Sequence, residues 1–128
     1  MELEEFDHWL RRYFEAWVSN DADAVADLFA EDAEYHVDPF SGPRMRGRQE
    51  IAARWTAEPN AQGDVRWAYE PLAVTGDRGV AHWNTSFVPG GASDRRTEMD
   101  GILLITFDGD GRCTEHREWY VARDVGTG

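Results

Sequence analysis

Four residues have types and settings suited to proton transfer: Tyr13, Asp38, His116 and Glu118. Asp38 lies in the stretch Ala33 to Gly47, AEYHVDPFSGPRMRG. There Tyr35 and Val37 alternate with Glu34, His36 and Asp38 as in a short strand, which must stop at Pro39 because proline lacks the donor a central strand needs. A carboxylate at a strand's end can be held rigidly and still reach a cavity. To act as a base at carbon it must be desolvated and unpaired at rest. The alternative is that Asp38 braces its own turn, as Asp does before Pro. Tyr13 falls on a helical stripe with Phe6, Leu10 and Trp17. It is either a cavity hydroxyl able to donate to a developing enolate oxygen or a core aromatic with one satisfied hydroxyl. His116, Glu118 and Tyr120 share one face of the last strand, because strand side chains alternate. His116 and Glu118 are then either a proton-transfer pair or a buried polar network that sets register.

The elements that must position these groups follow from periodicity. Residues 2–19 form an amphipathic helix, with Glu2, Glu4 and Glu5 at its positive N-terminal end. Ser19, Asn20 and Asp21 break it and offer caps for a second helix over 22–30. After the opening strand, Arg48 to Ala57 is a third helix with Ile51 and Trp55 on one face, ended by Glu58-Pro59-Asn60. The second half reads as strands: Val65 to Thr75 with a bulge or edge at Pro71, a strand in which Ala81, Trp83, Thr85 and Phe87 face inward, a loop at Pro89-Gly90-Gly91, and Arg96 to Phe107. The apolar run from Ile102 to Ile105 predicts cover on both faces. Asp108-Gly109-Asp110-Gly111 is a hairpin turn into the last strand, Cys113 to Val121. Helices followed by an antiparallel meander make an α+β pattern. The chain reads as one domain over 1–125 with a flexible tail at 126–128.

Composition narrows the partners. A formal net charge of −12 disfavours nucleic acid and anionic membranes, and no window has the apolar length of a span or a signal peptide. The single Cys113 cannot form an internal disulfide and suits a reducing cytoplasm. The six Trp, four Tyr and six Phe are enough to line a pocket, and they equally suit an aromatic core or a dimer face. His8, His36, His82 and His116 do not have metal-ligand spacing, and the glycines lie in turns rather than in a nucleotide loop. No metal or cofactor is expected.

Three stretches, RRYFEAWVSNDADAVADLFAEDAEY, DPFSGPRMRGRQEIAARW and ITFDGDGRCTEHREWYV, resemble the nuclear transport factor 2-like superfamily, in its SnoaL-like and ketosteroid isomerase-related group. The resemblance covers nearly the whole chain. It implies a cone: a curved antiparallel sheet around a pocket, closed by the three helices of the N-terminal half, with pairing into a homodimer through the sheet's outer face. It also implies that His116, Glu118 and Tyr120 face inward, with Trp17, Trp55, Trp83, Phe87 and Leu103 as further pocket walls. Asp38-Pro39 matches the Asp-Pro pair that carries the isomerases' general base, and Arg12-Tyr13 matches their oxyanion-hole tyrosine. Leu103 stands where they carry a second, protonated Asp donor. Arg117-Glu118-Trp119 resembles the Arg-Asp-Tyr run of limonene epoxide hydrolases, with Glu in place of Asp. The leading expectation is a cofactor-free isomerase or cyclase moving a proton beside a carbonyl of a small apolar or polycyclic ligand, with Asp38 as base and Tyr13 as oxyanion donor. The others are water activation by His116 and Glu118, as in an epoxide hydrolase or dehydratase, and a non-catalytic binding module.

Overall fold

The computed structural model describes residues 1–57, 62–90 and 94–126, without the side chain of Gln62. Helix α1 spans Leu3–Ser19 and opens on a capping box between Glu2 and Glu5. It buries Phe6, Trp9, Leu10, Tyr13, Phe14 and Ala16 on one side, the face expected from spacings of three and four. Asn20 ends it in the left-handed conformation, φ 54°. Asp21 then caps α2, Ala22–Leu28, by accepting from the backbone N–H groups of Asp23 and Ala24. The helix stops two residues short of the expected boundary, because Phe29 and Ala30 already belong to β1, Phe29–His36. After the two-residue β2, Met45–Arg46, comes α3, Arg48–Trp55. The expected helix stop at Glu58-Pro59-Asn60 lies outside the described residues, as does Gly91.

Four long strands complete the chain: β3 Gln62–Thr75, β4 Arg78–Pro89, β5 Arg95–Phe107 and β6 Cys113–Gly126. The six strands form one curved sheet in the order β2-β1-β6-β5-β4-β3. The α+β class stands. The sheet is mixed rather than wholly antiparallel, because β1 runs parallel to β6 and sets Tyr35 opposite His116. Pro71 sits on the edge strand β3, next to a register shift between Pro71 and Ala73, so both readings of that proline hold. β6 continues past Val121 to Gly126, which pairs with Arg95. Gly126 is therefore strand rather than tail, and the rest of the expected tail, 127–128, lies outside the described residues.

The helices cover one face of the sheet, and the core between them is strongly aromatic. Gly101 of β5 sits where β6 and Trp83 leave no room for a side chain. A Cβ at that position would clash with the Trp119 carbonyl oxygen and lie 3.0 Å from the Trp83 ring. Within the single chain only the inner face of the β5 run is covered: Leu103 and Ile105 are buried, while Ile102 and Leu104 remain partly exposed on the outer face. That face also exposes Trp119 and Val121. Among the described residues no helix is long and apolar enough to cross a membrane.

Candidate functional site

Between α1, α3 and the sheet lies a cavity of about 190 Å³. Its apolar wall comes from Phe14 and Trp17 of α1, Trp55 of α3, and Trp83, Met99 and Leu103 of the sheet. Its polar atoms come from Tyr13, Tyr35 and Glu118. A second opening of about 290 Å³ shares Tyr35, Trp55, Met99 and Glu118 with it and adds Arg44, Arg54 and Tyr120. Glu118 thus stands where the apolar chamber meets its mouth.

The polar groups are connected. The Tyr13 hydroxyl is 2.9 Å from His116 Nε2 and 3.2 Å from the Tyr35 hydroxyl. The Tyr35 ring stacks on the His116 imidazole at 3.8 Å with an interplanar angle of 8°. His116 is fully buried, and desolvation lowers its pKa to about 3, so the ring is neutral. Its Nδ1 has no partner among the described residues. The tautomer with the proton on Nε2 leaves no buried N–H orphaned. Nε2–H then donates to Tyr13, Tyr13 to Tyr35, and the Tyr35 proton is free to face Glu118. Burial pushes both phenols well above their usual range, with the charge of Glu118 adding to the effect, so they remain donors. Desolvation raises Glu118 to about 7, and the Tyr35 hydroxyl and the Arg44 charge hold that rise back. A carboxyl with this pKa is divided between base and acid near neutrality, as general acid–base work requires.

Asp38 is placed differently. It is exposed and beyond the end of β1. One of its oxygens accepts from the Phe40 backbone N–H at 2.9 Å, and the other accepts from the Ser41 hydroxyl at 3.1 Å. These bonds brace the turn at Pro39. Asp38 lines a neighbouring cleft with His36, Trp119 and Glu118, and does not line the aromatic chamber, to which that cleft is joined by Glu118 alone. Of the expected walls, Trp17, Trp55, Trp83 and Leu103 line the chamber. Tyr120 lines the mouth. Phe87 stands behind Trp17 in an edge contact at 6.4 Å. His116 and Glu118 both face inward, but no hydrogen bond joins them among the described residues; the tyrosines stand between.

Sequence reasoning passed over Tyr35, Met99, Arg44 and Arg54. The signal for Tyr35 was its strand parity, which sets it opposite His36. On the outer face, Glu34, His36 and Glu115 bring donor atoms within 4.8 Å of one another. Arg46 and Arg117 neutralise the two carboxylates at 3.3 and 2.8 Å, so the cluster is an ion-pair network.

The sequence pattern of the SnoaL-like domain matches residues 10–116. The chain belongs to the SnoaL-like domain family. A curated relative, a steroid Delta-isomerase from Nocardioides simplex, is 31% identical over 114 residues, covering 89% of this chain and 88% of its own. Two solved structures share the fold. An LEH-like epoxide hydrolase of M. tuberculosis superposes with a TM-score of 0.69 at 21% identity, over 92% of this chain and 84% of that one. A protein of ketosteroid isomerase-like fold from Catenulispora acidiphila, in complex with trimethylamine, gives 0.73 at 19% identity, over 88% and 84%. These likenesses are consistent with the nuclear transport factor 2-like superfamily. In this SnoaL-like chain the polar side chains of the chamber wall are Tyr13, Tyr35 and Glu118, with His116 buried against Tyr13 and Tyr35.

Proposed function

We propose that this SnoaL-like protein is a cofactor-independent isomerase or cyclase that moves a proton beside a carbonyl of a compact, largely apolar substrate. Glu118 is the base. The observation that carries the reading is its carboxyl in the wall of an aromatic chamber, raised to about 7 by desolvation. The carboxylate takes a proton from the carbon next to the carbonyl, the C–H electrons move into an enolate, and protonated Glu118 returns the proton at a second carbon. Once Glu118 is protonated, the Tyr35 hydroxyl is released to donate to the enolate oxygen, with Tyr13 and His116 orienting it. The buried indole N–H of Trp83 has no partner among the described residues and supplies a further donor for a ligand oxygen. The relative named a steroid isomerase agrees with this chemistry. The chamber alone, about 190 Å³, is smaller than the ~300–1,000 Å³ usual for ligand pockets, so the substrate also occupies the mouth.

Water activation by a His116–Glu118 pair is the weaker reading, because an imidazole whose pKa is near 3 is too weak a base to take a proton from water, and no hydrogen bond joins it to Glu118 among the described residues. The test is turnover of a panel of β,γ-unsaturated cyclic ketones, followed by the absorbance of the conjugated product. Glu118→Gln is expected to lose about 10²–10⁴-fold while Asp38→Asn keeps its rate. A Glu118→Gln variant that retains full turnover would sink the assignment.

The protein is further proposed to act as a homodimer. Ile102, Leu104, Trp119 and Val121 give the outer face an apolar patch, with Val121 73% exposed, of the kind a partner covers. A lone, buried Cys113 fits a cytoplasmic setting.

A further inference from the structure

The mouth of the chamber has a charge opposite to that of the protein. The chain has 25 acidic residues against 13 basic ones, all arginine. Eight of those arginines pair with carboxylates: Arg12, Arg46, Arg66, Arg95, Arg96, Arg112, Arg117 and Arg123. Arg11, Arg44, Arg48, Arg54 and Arg78 make no such pair among the described residues, and of these five Arg44 and Arg54 line the mouth beside Glu118. They reach it from different elements. Arg44 is anchored before β2, where its backbone N–H donates to the Tyr35 carbonyl oxygen at 2.9 Å, and its charge acts on Glu118. Arg54 comes from the last turn of α3. A cation there favours the helix dipole, but that role does not require a second guanidinium on the facing element. In a chain with surplus carboxylates, two arginines converging on one opening are available to a ligand.

We propose that Arg44 and Arg54 form an anion clamp, and that the substrate is an amphiphilic acid: an apolar ring or chain in the aromatic chamber and a carboxylate at the mouth. Guanidinium groups are suited to this because their donors match the two oxygens of a carboxylate. The long-range field of the protein favours cations. Within the mouth two fixed positive charges face one carboxyl that burial keeps partly protonated near neutrality. The inference rests on the reading of this chamber as the ligand site and adds the chemical class of what enters it.

The test compares naphthylacetate, naphthylacetamide and naphthylethylamine by calorimetry at low ionic strength, with the wild-type protein. The acid is expected to bind about tenfold more tightly than the amide, with the amine weakest. Arg44→Gln with Arg54→Gln should reduce the acid's advantage to about twofold or less, and each single variant should remove part of it. Both side chains are exposed, so the variants should melt with the wild type. Equal binding of acid and amide, preference for the amine, a preference that survives the double variant, or no binding of any probe would each overturn the clamp. Its failure is separable from that of the proposed reaction. Ketone turnover lost in Glu118→Gln without an acid preference refutes the clamp alone, whereas an acid preference without ketone turnover refutes the reaction alone.

Discussion

The Tyr13 hydroxyl on α1 lies 2.9 Å from Nε2 of His116 on β6, 103 residues away. This contact ties the helical layer to the middle of the sheet through two buried polar atoms, neither of which can turn to water. Tyr13→Phe leaves Nε2 and the Tyr35 hydroxyl each short of a partner, a loss of about 1–3 kcal/mol. Calorimetric melting is expected to show a drop of several degrees. In the proposed reaction the same variant slows turnover by disordering Tyr35, whereas Tyr13→Phe with wild-type stability would mean the contact carries no net energy.

Glu118 and His116 predict a pH dependence that cancels in the wild type. Glu118 is raised from the usual 4.5 to about 7, so its stabilisation is complete below 4.5 and is lost as pH rises through 7. His116 is lowered from the usual 6.5 to about 3, so its stabilisation is present above 6.5 and is lost as pH falls through 3. Between 4.5 and 6.5 the folded state holds the Glu118 proton that the unfolded state releases, and lacks the His116 proton that the unfolded state binds. The two slopes oppose each other. In that window, relative to wild type, Glu118→Gln should add a slope of about +1.4 kcal/mol per pH unit and His116→Gln about −1.4. Denaturant melts at several pH values measure both. Parallel stability curves for the three proteins would contradict the burial of these groups.

Asp38 is expected to behave as a brace. Asp38→Ala removes both side-chain bonds of its turn and should cost about 0.5–1.5 kcal/mol. Asp38→Asn retains an acceptor for the Phe40 N–H and should cost less. Neither should change the pH profile of turnover. A profile whose acidic limb disappears in Asp38→Asn would return the base to Asp38.

For the outer face, light scattering at micromolar concentration should give twice the 14.6 kDa chain mass. Trp119→Glu together with Val121→Glu should give the single-chain mass, since two charges cannot be buried unpaired at an apolar interface. A wild-type protein that scatters as one chain at these concentrations excludes the dimer.

Much of the fold was legible because it depends on local repetition. The stripe of Phe6, Leu10, Tyr13 and Trp17 and the alternation around Ala81 and Trp83 are set by helical and strand geometry, so any correct element assignment places those side chains inward. For β6 the same alternation puts His116 and Glu118 on one face, and the family resemblance made that face the inner one. Which inward groups meet is a different kind of fact. Tyr35 faces His116 only because β1 pairs in parallel with β6, a contact across 81 residues that no local pattern encodes. Asp38 matches a motif in type and neighbour, but β1 ends at His36, and the two bonds inside the Pro39 turn take the carboxylate that the motif suggested was free. Desolvation, which raises Glu118 and lowers His116, is a property of the assembled chamber. The sequence by itself therefore determined the class, most of the elements and which side chains share a face. The tertiary structure decided which carboxylate is buried, which hydroxyls reach it, and which arginines stand at the opening, because those depend on long-range pairing and on water being excluded.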